Sequence, residues 1–341
     1  MSEAEERFQP SGTKERNLAM ELVRVTEAAA LSAGRWMGKG DKEKVDQAAV
    51  DAMRQAVDGV DMDGVVVIGE GEKDKAPMLY IGERIGNGTP PEVDVAVDPV
   101  DGTTLLSLGR PGALAVVATA ERGTMYAAPP GVFYMEKIAV GAFAKDTIDI
   151  NAPIPVNLER IAKARDAKID DITVIILDRP RHQEMFRQIR EAGARISLIS
   201  DGDVAAAIQA AMDDFTGVDV LMGIGGAPEG VLAAAAIKCI GGSIQCKIWP
   251  RSEQEREKLK AEGVDLDQVL TTDDLVKGND VSFAATGITN GELLRGVQYF
   301  GWGARTFSVM MRSRSRTIRY IEARHRWRKG STYGLGIPRG R

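Results

Sequence analysis

Two carboxylates and a hydroxyl stand close together in the segment Asp98-Pro99-Val100-Asp101-Gly102-Thr103-Thr104. Gly102 gives the backbone the freedom for a sharp turn, so the side chains of Asp98 and Asp101 can converge. Converging carboxylates repel each other unless a hard divalent cation lies between them. Thr103 adds a hydroxyl, and the helix that starts there adds free N–H groups that bind phosphate. The segment predicts a metal site beside a phosphate, although a lone Asp-Pro turn is more often only a turn with a capping residue.

The element before this segment must hold it in place. Residues 93–97 alternate valine with Asp94 and Ala96, which is the period-two pattern of a half-buried strand. Pro99 cannot donate a hydrogen bond to a strand ladder. We therefore expect the strand to end at Asp98 and to present the acidic segment at its tip.

A second acidic turn lies earlier in the chain. The apolar residues 65–68 are followed by Gly69, Glu70, Gly71 and Glu72. Glycine on both sides of Glu70 allows close approach of the backbone to a ligand. Glu70 is either a site carboxylate at a strand tip or a solvated loop charge, and the neighbouring acidic segment favours the first interpretation.

A third candidate carboxylate, Asp46, lies near the start of a helical pattern that includes Val50, Met53 and Val57. A carboxylate at this place commonly interacts favourably with the helix dipole and does nothing else. The alternative is that Asp46 orients a water molecule beside Thr103.

These turns carry a resemblance to a known family. The Gly-Glu-Gly-Glu turn followed by Asp-Pro-Val-Asp-Gly-Thr resembles the metal-dependent sugar and inositol phosphatases of the lithium-sensitive superfamily. Further segments narrow the resemblance to the bacterial class II fructose-1,6-bisphosphatases, from about residue 15 to about residue 328. These segments are residues 20–27, 76–80, 179–182, 201–204, 223–230 and 285–289.

The resemblance implies roles for particular residues. The implied metal ligands are Asp98, Asp101, Glu70 and Glu229, with Asp46 as a further ligand. The implied catalytic residues are Glu70 together with Asp46 and Thr103, the pair that positions the attacking water. The residues implied to hold the sugar and its phosphates are Lys42, Asp101, Gly102, Thr103, Tyr134, Lys137, Arg179, Arg181, Asp201, Asp203 and Gly226.

Simpler interpretations of four of these residues stay open. Tyr134 and Lys137 could lie on the exposed face of a strand, and Arg179 and Arg181 could be surface charges after a strand end. His182 opens a helical segment and is expected to be a capping or surface residue without a catalytic role.

The implied reaction is hydrolysis of the 1-phosphate of D-fructose 1,6-bisphosphate by metal-activated water, which gives fructose 6-phosphate and inorganic phosphate in gluconeogenesis. Sedoheptulose 1,7-bisphosphate is a second expected substrate. All implied ligands are oxygen donors and the chain has only 2 histidines, so two or more Mg²⁺ or Mn²⁺ ions are expected in preference to Zn²⁺.

Two alternative functions follow from the same residues. One is an inositol- or nucleotide-phosphate phosphatase with the same metal site. The other is a non-catalytic protein that binds a nucleotide or a nucleic acid through the glycine turn at residues 223–226 and the basic segment at 312–329. The second alternative leaves the acidic turns unexplained.

Composition favours a cytoplasmic protein without a nucleic-acid or membrane partner. The chain has 341 residues, 27% of them charged, and a net charge of -5, which is unfavourable for binding nucleic acid. It has no apolar run of about 20 residues, and its first ten residues do not resemble a signal peptide. The basic segment 312–329 is expected to be an exposed sheet face or a subunit contact. The resemblance implies a homodimer or homotetramer.

The order of patterns along the chain predicts an α/β protein with two lobes. Residues 13–149 are expected to form an α+β metal-binding lobe, and residues 150–329 a doubly wound α/β lobe that binds the sugar phosphate. The resemblance implies a layered α-β-α-β-α sandwich. Residues 1–12 and 330–341 are expected to be flexible. Cys239 and Cys246 are expected to be buried thiols and not a disulfide.

Overall fold

Two β-sheets, with helices between them and on their outer faces, make up the protein in a computed structural model that describes residues 13–71, 78–212 and 217–327. The helices are α1 (Thr13–Ala33), α2 (Lys42–Val57), α3 (Thr103–Ser107), α4 (Ile154–Ala164), α5 (Gln183–Glu191), α6 (Asp203–Ala211), α7 (Ala227–Ile240), α8 (Glu253–Ala261) and α9 (Thr272–Leu275). The strands are β1 (Asp63–Ile68), β2 (Arg84–Ile85), β3 (Glu92–Asp101), β4 (Leu114–Glu121), β5 (Tyr134–Val140), β6 (Thr173–Leu177), β7 (Arg195–Ile199), β8 (Val220–Gly226), β9 (Ser243–Ile248), β10 (Val269–Thr271), β11 (Ser282–Gly287), β12 (Gln298–Phe300), β13 (Gly303–Arg312) and β14 (Thr317–Arg326).

The first sheet has the strand order β12-β13-β11-β4-β3-β1-β2, and β14 pairs with β13 along its full length. Only β1 and β3 run parallel; the other pairs of this sheet are antiparallel. Because side chains alternate along a strand, Val95 and Val97 of β3 pack under α1 and α2, while Ala96 packs on the opposite side of the sheet.

The second sheet has the order β10-β9-β5-β8-β6-β7. In β6, Val174 and Ile176 pack in the cluster that contains α4 and α5, whereas Ile175 packs in the cluster that contains α6 and α7. A strand buried on both faces reads as a continuous apolar run, as residues 174–177 do. Since α7 also packs against the first sheet, the layers run α-β-α-β-α, and the predicted fold class is confirmed.

The chain does not finish one sheet before it starts the other. Strand β5 lies in the second sheet, although it precedes residue 150, and β11 to β14 return to the first sheet. The predicted division at 149/150 therefore does not coincide with the division between the sheets. The predicted flexible termini, 1–12 and 330–341, lie outside the described residues, as do residues 328–329 of the second predicted lobe.

The expectation that the strand ends at Asp98 is wrong. Strand β3 continues through Pro99 to Asp101, and its register with β4 shifts between Asp98 and Asp101. A bulge of this kind leaves residues unpaired, so the missing N–H of proline costs no ladder hydrogen bond. The N–H of Val100 donates instead to the Asp98 carboxylate at 3.0 Å. The bulge therefore changes the directions in which the Asp98 and Asp101 side chains leave the strand.

The basic segment forms the end of β13 and all of β14, with its residues 328 and 329 outside the described part. Arg319, Arg324 and Arg326 are exposed on β14, as expected for an exposed sheet face. Both cysteines are buried and unpaired, as predicted. Among the described helices, none has the length and apolar character that a membrane span requires.

Candidate active site

A cavity of about 530 Å³ lies where the bulge of β3 faces the ends of β6, β7 and β8. A smaller cavity of about 80 Å³ adjoins it and is lined by Asp46, Glu70, Asp98 and Thr103. Residues that sequence reasoning took from distant parts of the chain thus meet at one place. The predicted site residues that line the larger cavity are Asp98, Asp101, Gly102, Thr103, Tyr134, Arg179, Arg181, Asp201, Asp203, Gly226 and Glu229.

The turn after β3 places Thr103 against Asp46. Gly102 adopts the left-handed conformation, with φ of 91°, and caps the N-terminus of α3. The Thr103 hydroxyl donates to the Asp46 carboxylate at 2.8 Å, which joins the first residue of α3 to the first turns of α2. Burial raises the pKa of Asp46 above its usual value. Thr103 lines both cavities, whereas Asp46 lines only the smaller one.

Four carboxylates form an acidic cluster around the bulge: those of Glu70, Asp98, Asp101 and Glu229. Burial raises the pKa of Asp98 well above its usual value, and the charges of Asp101, Glu229 and Glu70 raise it further. Burial and the charges of Asp203 and Glu229 do the same for Asp101. Although Glu70 stays open to solvent on one side, the surrounding protein and the charge of Asp46 raise its pKa to about 7. This arrangement is unfavourable without a compensating cation.

The donor set fits divalent cations that keep part of their water. Within the described ranges, the buried Oδ2 of Asp101 and Oε2 of Glu229 have no hydrogen-bond partner. Among the described residues, no group of three or more acidic, histidine or cysteine side chains is arranged to hold a metal ion without further ligands. Mg²⁺ commonly binds through one or two carboxylates, with water and phosphate oxygens completing its shell. The residues therefore fit ions that are held partly by the protein and partly by water and phosphate.

Two carboxylates lie so close to the glycine turn at the end of β8 that they leave no room for a side chain there. A Cβ atom on Gly226 would lie 1.9 Å from Oε2 of Glu229, and one on Gly225 would lie 1.8 Å from Oδ2 of Asp203. Gly226 caps α7, so Glu229 lies in the first turn of that helix and points back over the turn. The space that a dinucleotide-binding loop would offer to a pyrophosphate is filled here by carboxylates.

A buried ion pair fixes one of these carboxylates. The Lys137 ammonium lies 2.7 Å from Oδ2 of Asp203, and Lys137 is only 2% exposed, so it does not lie on an exposed strand face. Burial lowers the pKa of Lys137, but the carboxylates of Asp203 and Glu229 outweigh it and leave that pKa raised. Lys137 thus neutralises part of the acidic cluster from beneath the cavity.

Two arginines also line the larger cavity. Arg181 donates through Nε and Nη2 to the Ile224 carbonyl, at 3.2 and 2.7 Å, and its guanidinium lies 5.1 Å from the centre of the Tyr134 ring. Arg179 approaches Asp201 at 3.6 Å. Both arginines line the cavity, so neither is simply a surface charge.

Lys42 lies apart from the larger cavity. It is exposed, it does not line the larger cavity, and its ammonium donates to the Thr104 hydroxyl at 2.8 Å. The structure therefore places Lys42 beside α3 and outside the lining of the larger cavity.

Sequence reasoning missed the structural contribution of His182. The ring is fully buried; its Nε2 accepts from the Ile224 N–H at 2.8 Å, so Nδ1 carries the proton and donates to the Leu177 carbonyl at 2.6 Å. Burial lowers the pKa of His182, which keeps the ring neutral. His182 therefore ties β6 to β8 next to Arg181. A histidine after an Arg-Pro-Arg turn gave no signal for this contact.

Solved structures with a distant likeness belong to extragenic suppressor proteins. The suhB protein of Bartonella henselae is 14% identical, with a TM-score of 0.31 over 58% of this chain and 71% of that chain. An extragenic suppressor from Pyrococcus furiosus is 14% identical, with a TM-score of 0.28 over 57% and 68%. The fold described above rests on the structure itself and not on these likenesses.

Sequence comparison gives a much closer match. The profile of the family described as "Bacterial fructose-1,6-bisphosphatase, glpX-encoded" matches residues 16–325. A protein of Synechococcus sp. (strain JA-2-3B'a(2-13)) named D-fructose 1,6-bisphosphatase class 2/sedoheptulose 1,7-bisphosphatase is 45% identical over 90% of this chain and 95% of its own length. Fructose-1,6-bisphosphatase class 2 of Haemophilus influenzae is 46% identical over 91% and 96%. The chain belongs to the bacterial, glpX-encoded fructose-1,6-bisphosphatase family.

Proposed function

We propose that this protein hydrolyses the 1-phosphate of D-fructose 1,6-bisphosphate, with sedoheptulose 1,7-bisphosphate as a second substrate. The observation that carries the proposal is the presence of acidic and basic groups in one cavity. Asp98, Asp101 and Glu229, where cations are needed, line the same cavity as Arg179 and Arg181. A sugar with a phosphate at each end can use both sets of groups.

In the reaction, a water oxygen forms a bond to phosphorus while the bond between phosphorus and the C1 oxygen breaks. The leaving alkoxide takes up a proton, and the products are fructose 6-phosphate and inorganic phosphate. Because the Thr103 hydroxyl donates its hydrogen bond to Asp46, the oxygen lone pairs of Thr103 are free to accept a hydrogen bond from the entering water. The Asp46–Thr103 pair therefore orients that water toward the phosphate.

We propose that Glu70, Asp98, Asp101 and Glu229 hold two or more divalent cations, Mg²⁺ or Mn²⁺. When bound, such ions stabilise the charge on the entering and leaving oxygens of the phosphoryl group. The chain contributes by fixing the carboxylates on the β3 bulge and in the first turn of α7. The unpartnered oxygens of Asp101 and Glu229 support this assignment.

The sugar and its second phosphate bind beside the two arginines in this proposal. Arg179 and Arg181 bind the phosphate that is not cleaved, because guanidinium groups match phosphate oxygens. Asp201 and Asp203 accept hydrogen bonds from sugar hydroxyls, and Lys137 holds Asp203 in place for this role. The reaction would serve gluconeogenesis in the cytoplasm, carried out by a homodimer or homotetramer.

The test is phosphate release from both bisphosphates by the purified protein with Mg²⁺, Mn²⁺ or a chelator. Asp98→Asn should abolish release while the protein stays folded. Asp267→Asn, at a carboxylate that is 95% exposed, is the matched control and should retain activity. If the folded, metal-loaded protein releases phosphate from neither sugar, the proposal fails and an inositol or nucleotide phosphate becomes the next substrate to test.

A further inference from the structure

Arg251 lines the same cavity, yet the roles proposed above do not include it. It stands between the end of β9 and the start of α8. Its side chain is 51% exposed, whereas those of Arg179 and Lys137 are 34% and 2% exposed. Arg251 is therefore a cation at the outer rim of the cavity.

Two neighbours hold the Arg251 guanidinium in one orientation. It lies 4.3 Å from the centre of the Phe133 ring, and Phe133 itself is 52% exposed at the cavity wall. Its Nε and Nη2 meet the Glu255 carboxylate at 3.2 and 3.1 Å, and Glu255 also accepts the backbone N–H of Arg251 at 2.6 Å. The Glu255 side chain is only 14% exposed, so the anchor is firmer than that of an ordinary surface ion pair.

This geometry leaves part of the guanidinium available. The edge formed by Nε and Nη2 faces Glu255, and in the part of the chain that the structure describes no partner is seen for Nη1. The exposed Phe133 ring lies beside this guanidinium at the cavity wall. The ring orients the fork and shields it on one face, as cation–π contacts do.

Arg251 and Arg181 both lie near Tyr134. The Arg181 guanidinium lies over Tyr134, and Tyr134 meets Trp249 edge to face at 6.4 Å. Trp249 is two residues before Arg251 in the same loop, and the charge of Arg251 also interacts with Tyr134. Two cations that follow different strands thus line the same cavity near Tyr134.

We propose that Arg251 contacts the phosphate that is not cleaved and thereby sets the preference for bisphosphates over monophosphates. The inference rests on the proposed function and adds a specificity-determining residue to it. Arg181 already donates hydrogen bonds from Nε and Nη2 to the Ile224 carbonyl, and Arg179 lies close to Asp201. A dianion bound beside these arginines therefore gains from a third guanidinium that lines the same cavity and keeps one nitrogen apart from Glu255.

The test compares Arg251→Ala with Arg256→Ala, which removes an arginine of α8 whose partner, Glu253, lies 3.5 Å away on the surface. For fructose 1,6-bisphosphate, Arg251→Ala should raise KM about tenfold and leave kcat nearly unchanged, because the contact is the same in substrate and transition state. Fructose 1-phosphate, which lacks the second phosphate, should be hydrolysed equally by both variants. Inhibition by fructose 6-phosphate should weaken about tenfold, and inhibition by inorganic phosphate should not.

An equal loss with both substrates, or a lower melting temperature without a change in KM, would overturn the inference and leave Arg251 as a structural residue of α8. A second measurement does not depend on turnover. Calorimetric titration with fructose 6-phosphate should give an affinity about tenfold weaker for Arg251→Ala than for the wild type. Equal affinities, or no binding by the wild type, would count against Arg251. Failure of wild-type turnover alone would count against the proposed reaction.

Discussion

Removing one charge from the acidic cluster should stabilise the metal-free protein. Asp101 is 3% exposed, its Oδ2 has no hydrogen-bond partner in the described chain, and the charges of Asp203 and Glu229 oppose its ionisation. Two like charges about 5 Å apart at an effective dielectric constant of about 20 repel by about 3 kcal/mol. Lys137 offsets part of this repulsion. We expect Asp101→Asn to raise the free energy of unfolding by about 2 kcal/mol and the melting temperature by about 3 °C.

The assay is thermal unfolding at pH 7.5 in a chelator and again in excess Mg²⁺. In Mg²⁺ the order should reverse, because an ion at 100 times its dissociation constant stabilises the wild type by about 2.7 kcal/mol and binds the variant less well. The pKa of Asp101 is raised in the folded state, so its ionisation costs stability as the pH rises above about 3.8. The difference in the chelator should therefore vanish near pH 3.5 and grow as the pH rises.

The control is Asp267→Asn, which should follow the wild type in both buffers. Two results would contradict this expectation: Asp101→Asn melts below the wild type in the chelator, or Mg²⁺ raises both melting temperatures equally. The first result would mean that the carboxylate contributes more through unseen hydrogen bonds than it costs through repulsion. The second would mean that Asp101 does not hold the ion.

Three further substitutions have definite expected outcomes. Thr103→Val keeps the shape but removes the hydroxyl bonded to Asp46, so kcat should fall about 100-fold with little change in KM. Gly226→Ala places a Cβ atom 1.9 Å from Oε2 of Glu229, so Mg²⁺ affinity, measured by titration, should fall about tenfold or more. His182→Ala removes two buried hydrogen bonds and should cost about 2–4 kcal/mol in chemical denaturation at pH 7.5. Because burial lowers the pKa of His182, the wild type should lose stability as the pH falls below 6.5, and the alanine variant should lose less.

Local patterns predicted the elements that carry the site. The alternation before Asp98 and the apolar run at residues 174–177 gave strands in the right places, and Gly102 marked the turn before α3. These features depend on near neighbours in sequence, because periodicity and turn chemistry act over a few residues. The expectation that the strand ends before Pro99 was wrong because it used only near neighbours. The bulge that accommodates proline is set by the pairing of β3 with β4, which lies later in the chain.

Long-range pairing was beyond the sequence pattern. Nothing local indicates that β5 joins the second sheet or that β11 to β14 return to the first. The burial of Lys137, the His182 contacts with β6 and β8, and the position of Arg251 over Phe133 all follow from that pairing. A single sequence shows which residue types are present, but not which of them face one another across two sheets.

The two-sheet arrangement explains why the acidic cluster can exist at all. Asp98 and Asp101 come from the first sheet, whereas Glu229 and Asp203 come from helices that follow strands of the second. Packing of α7 between the sheets brings these carboxylates together at a cost that folding alone would not favour. Under the proposed function, the binding energy of the cations offsets that cost, so the stability of this layered fold and the occupation of its site would be linked. The metal-free protein is then expected to loosen first along the contact between the β3 bulge and the start of α7.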